Sequence, residues 1–552
     1  MKIINKYKYL FLLAILILAA GLRFYRLSEF PALNADEAAL GYNAWSLAQT
    51  GTDEHSNLWP IHLQSFNDYK PALYAYILIP FVRVWGLSSS VVRVPGATAG
   101  VLSVMIIYLL AKQIVKRAKS DNELFSMLAA LFLAISPWHI HFSRGGWEVN
   151  LAALFIISGI YLFFKAMNKP KFYIFSFLSF AASLYTYHAA RVIVPLLGLG
   201  LLVIFYKDNL KNWKAVLVSG IVALVIMIPL VLDLAGPAGL SRAAGVGVFS
   251  DPGPLNEINE QRGEHVDLSG STTKLIHNKP VNYTLEILEN WGEHFSGEFL
   301  FLSGDDIQRN KVPEHGQMYL HNILFVILGF VAIAKAYNRK WGFVLLWLVV
   351  SPVAASLTFQ SPHALRAQIM VFPLVLIGAF GMDYLIKWLG GVVRNPIIHK
   401  LLLFSLSLVM VWGFLRYQWL YWNHMSRVYP YSSQYGVEEM IHIVSSKYDS
   451  YDHILITDRY DQPYILTLFY LEYPPNRFQE EHVLSARDGY GFSTVRNFDK
   501  FTFTSIGEWS EVISGYPNSI IVGTDEEVPD EANVVESVYF PNGEVAFKIV
   551  AN

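Results

Sequence analysis

Apolar residues fall into eleven runs separated by polar stretches, two of them long: Tyr9–Leu22, Val94–Ala111, Leu124–Trp138, Leu151–Phe164, Phe172–Tyr187, Val192–Tyr206, Ala215–Leu232, Tyr319–Ala334, Trp341–Leu357, Ala367–Leu385 and Leu401–Leu415. A helix needs about 20 apolar residues to cross the hydrocarbon core, and several runs approach that only with their flanking aromatics. The pattern predicts an α-helical polytopic membrane protein with about eleven transmembrane helices. One more apolar stretch, Pro71–Trp85, is interrupted by Pro80 and Arg83 and is expected to lie on the membrane surface. After Leu415 the periodicity changes. Ile454–Thr457, Ser519–Thr524 and Val545–Val550 read as strands and Gln462–Tyr470 as a helix, so the tail is a small α/β domain. The expected division is 1–420, transmembrane, with polar loops 24–93 and 233–318, and 421–552, soluble.

Charge sets the orientation. Basic residues cluster at Lys2, Lys6 and Lys8; Lys112, Lys116, Arg117 and Lys119; Lys165, Lys169 and Lys171; Lys207, Lys211 and Lys214; Lys335, Arg339 and Lys340; and Lys387, Arg394 and Lys400. All these clusters fall on one side only if Pro71–Trp85 does not cross, and short basic loops stay cytoplasmic. The expected location is therefore the plasma membrane, multi-pass, with a cytoplasmic N-terminus that resembles a signal peptide but acts as an uncleaved anchor. Loops 24–93 and 233–318 and the tail are then extracytoplasmic.

Composition narrows the function. Of 552 residues, 53% are hydrophobic and 16% charged, against roughly 25% charged in an average soluble chain. The net charge of −2 gives no argument for nucleic acid, and the absence of cysteine removes disulfides and thiol chemistry. A coupled transporter carries ionisable residues near the midplane of its spans. Here the span interiors hold essentially no carboxylates, and Asp383 and Lys387 sit four apart towards a cytoplasmic end. The acids crowd the outer loops, as suits an enzyme at the membrane–water boundary.

The candidate chemistry centres on N-A-D-E, Asn34–Glu37, and D-Y-K-P, Asp68–Pro71. Adjacent acids point in different directions, so Asp36 and Glu37 divide into one chemical and one positional role; both equally read as caps of the helix that follows. Lys70 before Pro71 reads as a cation at a helix start, within reach of a phosphate.

The order of a basic N-terminus, one span, N-A-D-E, Y-K-P-A-L-Y-A-Y, G-L-S-S-S-V-V-R-V-P-G-A-T-A-G and S-P-W-H-I-H-F-S-R-G-G-W-E-V-N resembles the GT-C membrane glycosyltransferases. Within them it resembles the branch of protein O-mannosyltransferases and the lipid A aminoarabinose transferase (glycosyltransferase family 39-like). The resemblance covers Met1–Leu232 well, Phe295–Leu385 moderately and the tail hardly at all. It implies a GT-C fold, a polyprenyl-phosphate sugar donor, an extracytoplasmic glycolipid, glycan or protein acceptor, and inversion at the sugar carbon. Asp36 matches the family's catalytic acid and Glu37 completes its pair. Lys70 matches the lysine of the aminoarabinose-transferase branch, and Glu148 stands where relatives carry a second acid, as an acceptor or sugar contact or as a partner of Arg144.

Such chemistry needs a carboxylate to take the acceptor's proton and cations to receive the departing phosphate. Lys70, Arg144, His363 and Arg366 are the candidate phosphate-binding cations, with interfacial snorkelling the other reading of Arg366. Tyr187 and His188 are candidate acceptor or sugar contacts or members of an interfacial aromatic belt. Glu293, His294, Asp305, Asp306 and His315 have metal-ligand chemistry, but their spacing fits no metal pattern, and no metal or other cofactor is expected. Two other classes stay open: a glycan ligase using a lipid-diphosphate oligosaccharide, and a noncatalytic membrane receptor.

Overall fold

Each of the eleven apolar runs forms helix in the computed structural model, which describes residues 6–66, 68–115, 122–236, 239, 247–250, 252–486 and 493–552. Lys2, Lys116, Arg117 and Lys119 of the basic clusters lie outside the described residues. Among the described residues, five helices are long and apolar enough to cross a membrane: Ser89–Ile114, Glu148–Ala166, Trp213–Leu234, Gln368–Val392 and Pro396–Val428. A sixth is added if Glu123–Ile135 and Pro137–Ser143, bent by 56°, count as one span. The bend falls at Pro137, which lacks the N–H that would continue the helix. The protein is thus multi-pass. Fewer helices reach spanning length than the eleven expected, because several end early: at 1.5 Å per residue the 13 residues of Phe172–Leu184 rise about 20 Å. Leu73–Trp85, the stretch expected on the surface, is equally short.

The chain divides into two units. The first comprises Met1–Arg23, Thr98–Ser143 and Glu148–Gln418 and holds most of the apolar helices. Within it the buried Arg23 donates to the carbonyls of Leu133 and Ala134 and contacts His139 Nδ1 at 2.7 Å, tying the first helix to the bent pair.

The second unit comprises Phe24–Ala97, Arg144–Trp147 and Trp419–Asn552. The tail and the first outer loop thus fall within one unit. The tail hydrogen-bonds directly to that loop: Tyr464 Oη donates to Glu54 at 2.8 Å and Tyr42 Oη donates to the Tyr473 carbonyl at 3.0 Å, both between buried residues. A hairpin, β1 (His62–Ser65) and β2 (Asp68–Pro71), lies between the helices Ala35–Thr50 and Leu73–Trp85 in sequence. In the tail β3 (His453–Ile456), β4 (Val483–Leu484), β5 (Val495–Phe498), β6 (Phe501–Phe503), β7 (Ser519–Gly523), β8 (Val534–Tyr539) and β9 (Val545–Ala551) form one mixed sheet, ordered β4-β5-β6-β3-β7-β9-β8. The apolar β3 and β7 pair in parallel at its centre, buried on both faces as such strands must be.

Candidate active site

The site is built at the start of the helix Ala35–Thr50. Asn34 has extended backbone and its side chain accepts from the Glu37 amide at 3.1 Å, while Glu37 Oε2 accepts from the Asn34 amide at 3.3 Å. This reciprocal box satisfies two of the amides that a helix leaves unpaired. A third, that of Ala35, donates to Gln434 Oε1 at 2.7 Å, so a tail residue completes the cap. Acids here face the positive end of the helix dipole.

Successive residues on a helix diverge by about 100°, and the two acids meet different surroundings. Glu37 is 1% exposed and held by Arg93, itself fully buried. Arg93 Nε donates to Glu37 Oε1 at 2.7 Å and Nη2 to Oε2 at 2.8 Å. The other guanidinium protons go to the carbonyls of Leu27, Pro31 and Ala32, so all five donors of the group are engaged. The Gly146 amide also donates to Glu37 Oε1, at 2.7 Å. Glu37 therefore locks the segment 27–37 and the R-G-G-W loop to the helix that carries Arg93. The loop and that helix approach closely because each presents glycine there: a Cβ at Gly96 of the helix would stand 2.6 Å from the Gly145 carbonyl oxygen, and one at Gly146 of the loop would stand 2.8 Å from Val92 Cγ1.

Asp36 keeps about a third of its side chain exposed, and Lys70 Nζ donates to its Oδ1 at 2.5 Å. The lysine does not open a helix as its sequence suggested. It lies on β2, opposite Leu63, and the helix begins at Leu73. Its stem is buried and its ammonium sits 4.3 Å from the centre of the Phe66 ring, an additional attraction for the cation.

Arg144 is placed otherwise than a phosphate-binding role requires. It is fully buried, donates to Tyr421 Oη at 3.1 Å and to the Phe30 carbonyl at 2.9 Å, and stacks 4.6 Å from the Trp422 ring centre. It holds the R-G-G-W loop against aromatic residues of the tail.

The remaining candidates belong to the other unit. Glu148 opens the helix Glu148–Ala166, half-buried. Tyr187 is buried, and His188 Nδ1 is 2.9 Å from Arg191 Nη1. The His363 amide donates to His294 Nε2 at 3.1 Å, and its ring lies 3.9 Å from Asp305. Arg366 donates to Thr358 Oγ1 at 2.7 Å just before the helix Val371–Val392.

Asp305 accepts from the amides of Ile307 and Ala364 and from Asn310, which offsets part of the rise that burial imposes on its carboxyl. Burial pushes His294 down to about 4, keeping it neutral as an acceptor. These groups cross-brace the long loop, and among the described residues no three His, Asp or Glu side chains converge as metal ligands.

The residues that sequence reasoning passed over are Arg93, Gly146 and Gln434. Arg93 carried a signal, being a lone arginine in the apolar S-S-V-V-R-V-P-G. Gln434 carried none.

Residues 69–232, less than half of the chain, match the model of the family described as dolichyl-phosphate-mannose-protein mannosyltransferase. No curated protein matches the sequence. Among solved structures, ArnT from Cupriavidus metallidurans in the apo state aligns over 99% of this chain and 98% of its own, with TM-score 0.54 and 10% identity. The chain has the GT-C glycosyltransferase fold. The same bacterial protein bound to undecaprenyl phosphate aligns over the same shares at TM-score 0.51 and 10% identity. The archaeal oligosaccharyltransferase AglB from Archaeoglobus fulgidus, in complex with an inhibitory peptide and a dolichol-phosphate, aligns over 85% of this chain with TM-score 0.52 and 12% identity. The chain spans 64% of that protein's length. Glycosyltransferase, the enzyme class implied by N-A-D-E and the motifs after it, is the class of the matched family and of these GT-C neighbours.

Proposed function

We propose that the protein transfers a monosaccharide from a polyprenyl-phosphate donor to an extracytoplasmic acceptor, inverting the sugar carbon, with Asp36 as the base. The observation that carries this reading is the unequal environment of the acid pair: Glu37 is wholly engaged inside the fold, whereas Asp36 is partly exposed beside the Lys70 ammonium. The acceptor oxygen bonds to the anomeric carbon as the bond from that carbon to the phosphate oxygen breaks. The electron pair leaves with the phosphate and the hydroxyl proton passes to Asp36. An ammonium has three donors. One serves Asp36, and the same group can meet a phosphate oxygen, so one lysine joins base and leaving group. The complexes of ArnT with undecaprenyl phosphate and of AglB with a dolichol-phosphate support a polyprenyl-phosphate carrier. Glu148, Tyr187, His188, His363 and Arg366 stay candidates for donor or acceptor contact in the helical unit.

The likeness to an oligosaccharyltransferase favours a second reading, in which the donor is an oligosaccharide on lipid diphosphate. One experiment separates the two. The full chain is purified in mild detergent, co-purifying lipid-linked sugars are identified by mass spectrometry, and the donor found is used in a transfer assay with wild type and Asp36→Asn. A lipid monophosphate monosaccharide, with transfer lost in the variant, is the expected result. A diphosphate oligosaccharide donor replaces the reading by its rival, and full activity in Asp36→Asn removes the loop from the chemistry.

A further inference from the structure

A cavity of about 760 Å³ opens in the second unit, bounded by the segment that leads into N-A-D-E and by the tail. Its volume lies within the roughly 300–1,000 Å³ of small-molecule sites. Leu33, next to the cap residue, forms one wall. Gln434 forms another while its Oε1 holds the Ala35 amide, so the cavity shares a residue with the cap beneath Asp36. Arg93 fixes the same wall by its bonds to the carbonyls of Pro31 and Ala32. The cavity thus shares Gln434 and the 32–33 segment with the start of the helix that bears Asp36.

Its chemistry differs from that of a phosphate site. The tail contributes Glu438, Glu439 and Glu536, all exposed, and no ion pair is formed by any of the three among the described residues. Glu29, also on the rim, is already paired with Arg26 at 2.7 Å, and His442 is the one lining side chain that can carry positive charge. Such a lining repels phosphate and offers carboxylate acceptors to hydroxyl or ammonium donors. Tyr539, 56% exposed on β8, adds a ring face. Carboxylates around an aromatic face, in a cavity of this size, match a sugar.

We propose that this cavity binds the acceptor, and that the acceptor is an unphosphorylated glycan whose hydroxyl or amino groups pair with Glu438, Glu439 and Glu536 while a ring packs on Tyr539. The proposal rests on the transfer reading above and names its acceptor class. It also gives the tail a role, that of holding the acceptor beside a base supplied by the first outer loop.

The test uses the full chain in detergent and three forms of one probe: a β-1,4-linked glucosamine tetramer, its N-acetylated form and its 6-O-phosphorylated form, with binding followed by thermophoresis. The amine and N-acetyl forms should bind and the phosphorylated form at least tenfold more weakly. The double substitution Glu536→Gln with Tyr539→Ala, at exposed positions, should weaken the first two at least tenfold while leaving the melting temperature and donor binding unchanged. Asp36→Asn should bind the tetramer as wild type does, which separates this proposal from the base assignment. Equal binding of the phosphorylated form, undiminished binding by the double variant, or binding of a basic peptide and of no glycan form would overturn it.

Discussion

Replacing Glu37 by glutamine should unfold the site rather than slow the chemistry. The carboxylate accepts from Arg93 Nε and the Gly146 amide at Oε1, and from Arg93 Nη2 and the Asn34 amide and side chain at Oε2. Glutamine keeps the shape but has one acceptor oxygen, so its NH₂ must face donors on one side. The larger loss is charge. Arg93 is 0% exposed, and its guanidinium would stay buried without its anion. Breaking such a pair by removing one partner costs about 3–5 kcal/mol, a large fraction of the roughly 5–15 kcal/mol that holds a typical domain together. Asp36→Asn should do the reverse, lowering transfer by roughly 10²- to 10⁴-fold with a smaller loss of stability, because Asp36 is about a third exposed and the Lys70 ammonium it leaves keeps the Phe66 ring beside it. The assay pairs thermal unfolding in detergent with donor binding and the transfer rate per folded molecule. Glu37→Gln should melt early, and its surviving folded fraction should retain more activity than Asp36→Asn. If Glu37→Gln melts as wild type does, or if Asp36→Asn is the less stable of the two, the division of roles is wrong.

Lys70→Met should weaken donor binding by about 1.5–3 kcal/mol, the worth of a charge-assisted hydrogen bond, and Lys70→Arg should recover part of it; equal donor affinity in all three proteins would return the lysine to a purely structural role. Gly96→Ala drives a methyl to 2.6 Å from the Gly145 carbonyl oxygen and should destabilise by about 1–3 kcal/mol, read as a lower melting temperature, whereas Gly263→Ala, with open space around it, should melt as wild type. His294 has its pKa pushed from 6.5 down to about 4 by burial, so between those values the unfolded chain binds more protons and stability rises with pH. About 3 kcal/mol is therefore lost as pH falls from 6.5 to 4, and His294→Gln should flatten that part of a melting-temperature profile. A reporter fused after Ser120 should be cytoplasmic and one at Gly253 external; a translocated reporter at Ser120 overturns the orientation.

The helices of the membrane unit were legible because length and apolarity need no partner to be read. The same holds for β3, β7 and β9, whose runs of Ile and Val suit buried strands, and for the helix Pro463–Tyr470. What escaped depends on partners distant in sequence. Lys70 was misplaced because Y-K-P resembles a helix start, whereas its backbone pairs with β1 across a hairpin. Arg144 offered a cation to any anion, yet the Tyr421 and Trp422 rings, more than 270 positions away, claim it. Nothing local in the tail announces that Gln434 ends at the Ala35 amide.

The acid pair joins both kinds of information. Adjacency in sequence already required different roles, since neighbouring side chains on a helix cannot share one direction. The proposed division of roles rests on a partner 56 residues downstream, where Arg93 donates to both oxygens of Glu37. A base must be able to exchange a proton with a substrate, and a carboxylate enclosed by an arginine, a backbone amide and its own cap has no such path. Asp36 differs from it by one position and one turn angle: it stands at the positive end of the same helix, beside a lysine held from a separate strand. Glu37 is then the reason that Asp36 is well placed. Its burial fixes the helix start, and a fixed start holds the neighbouring carboxylate steady against Lys70 within the small tolerance that catalysis allows.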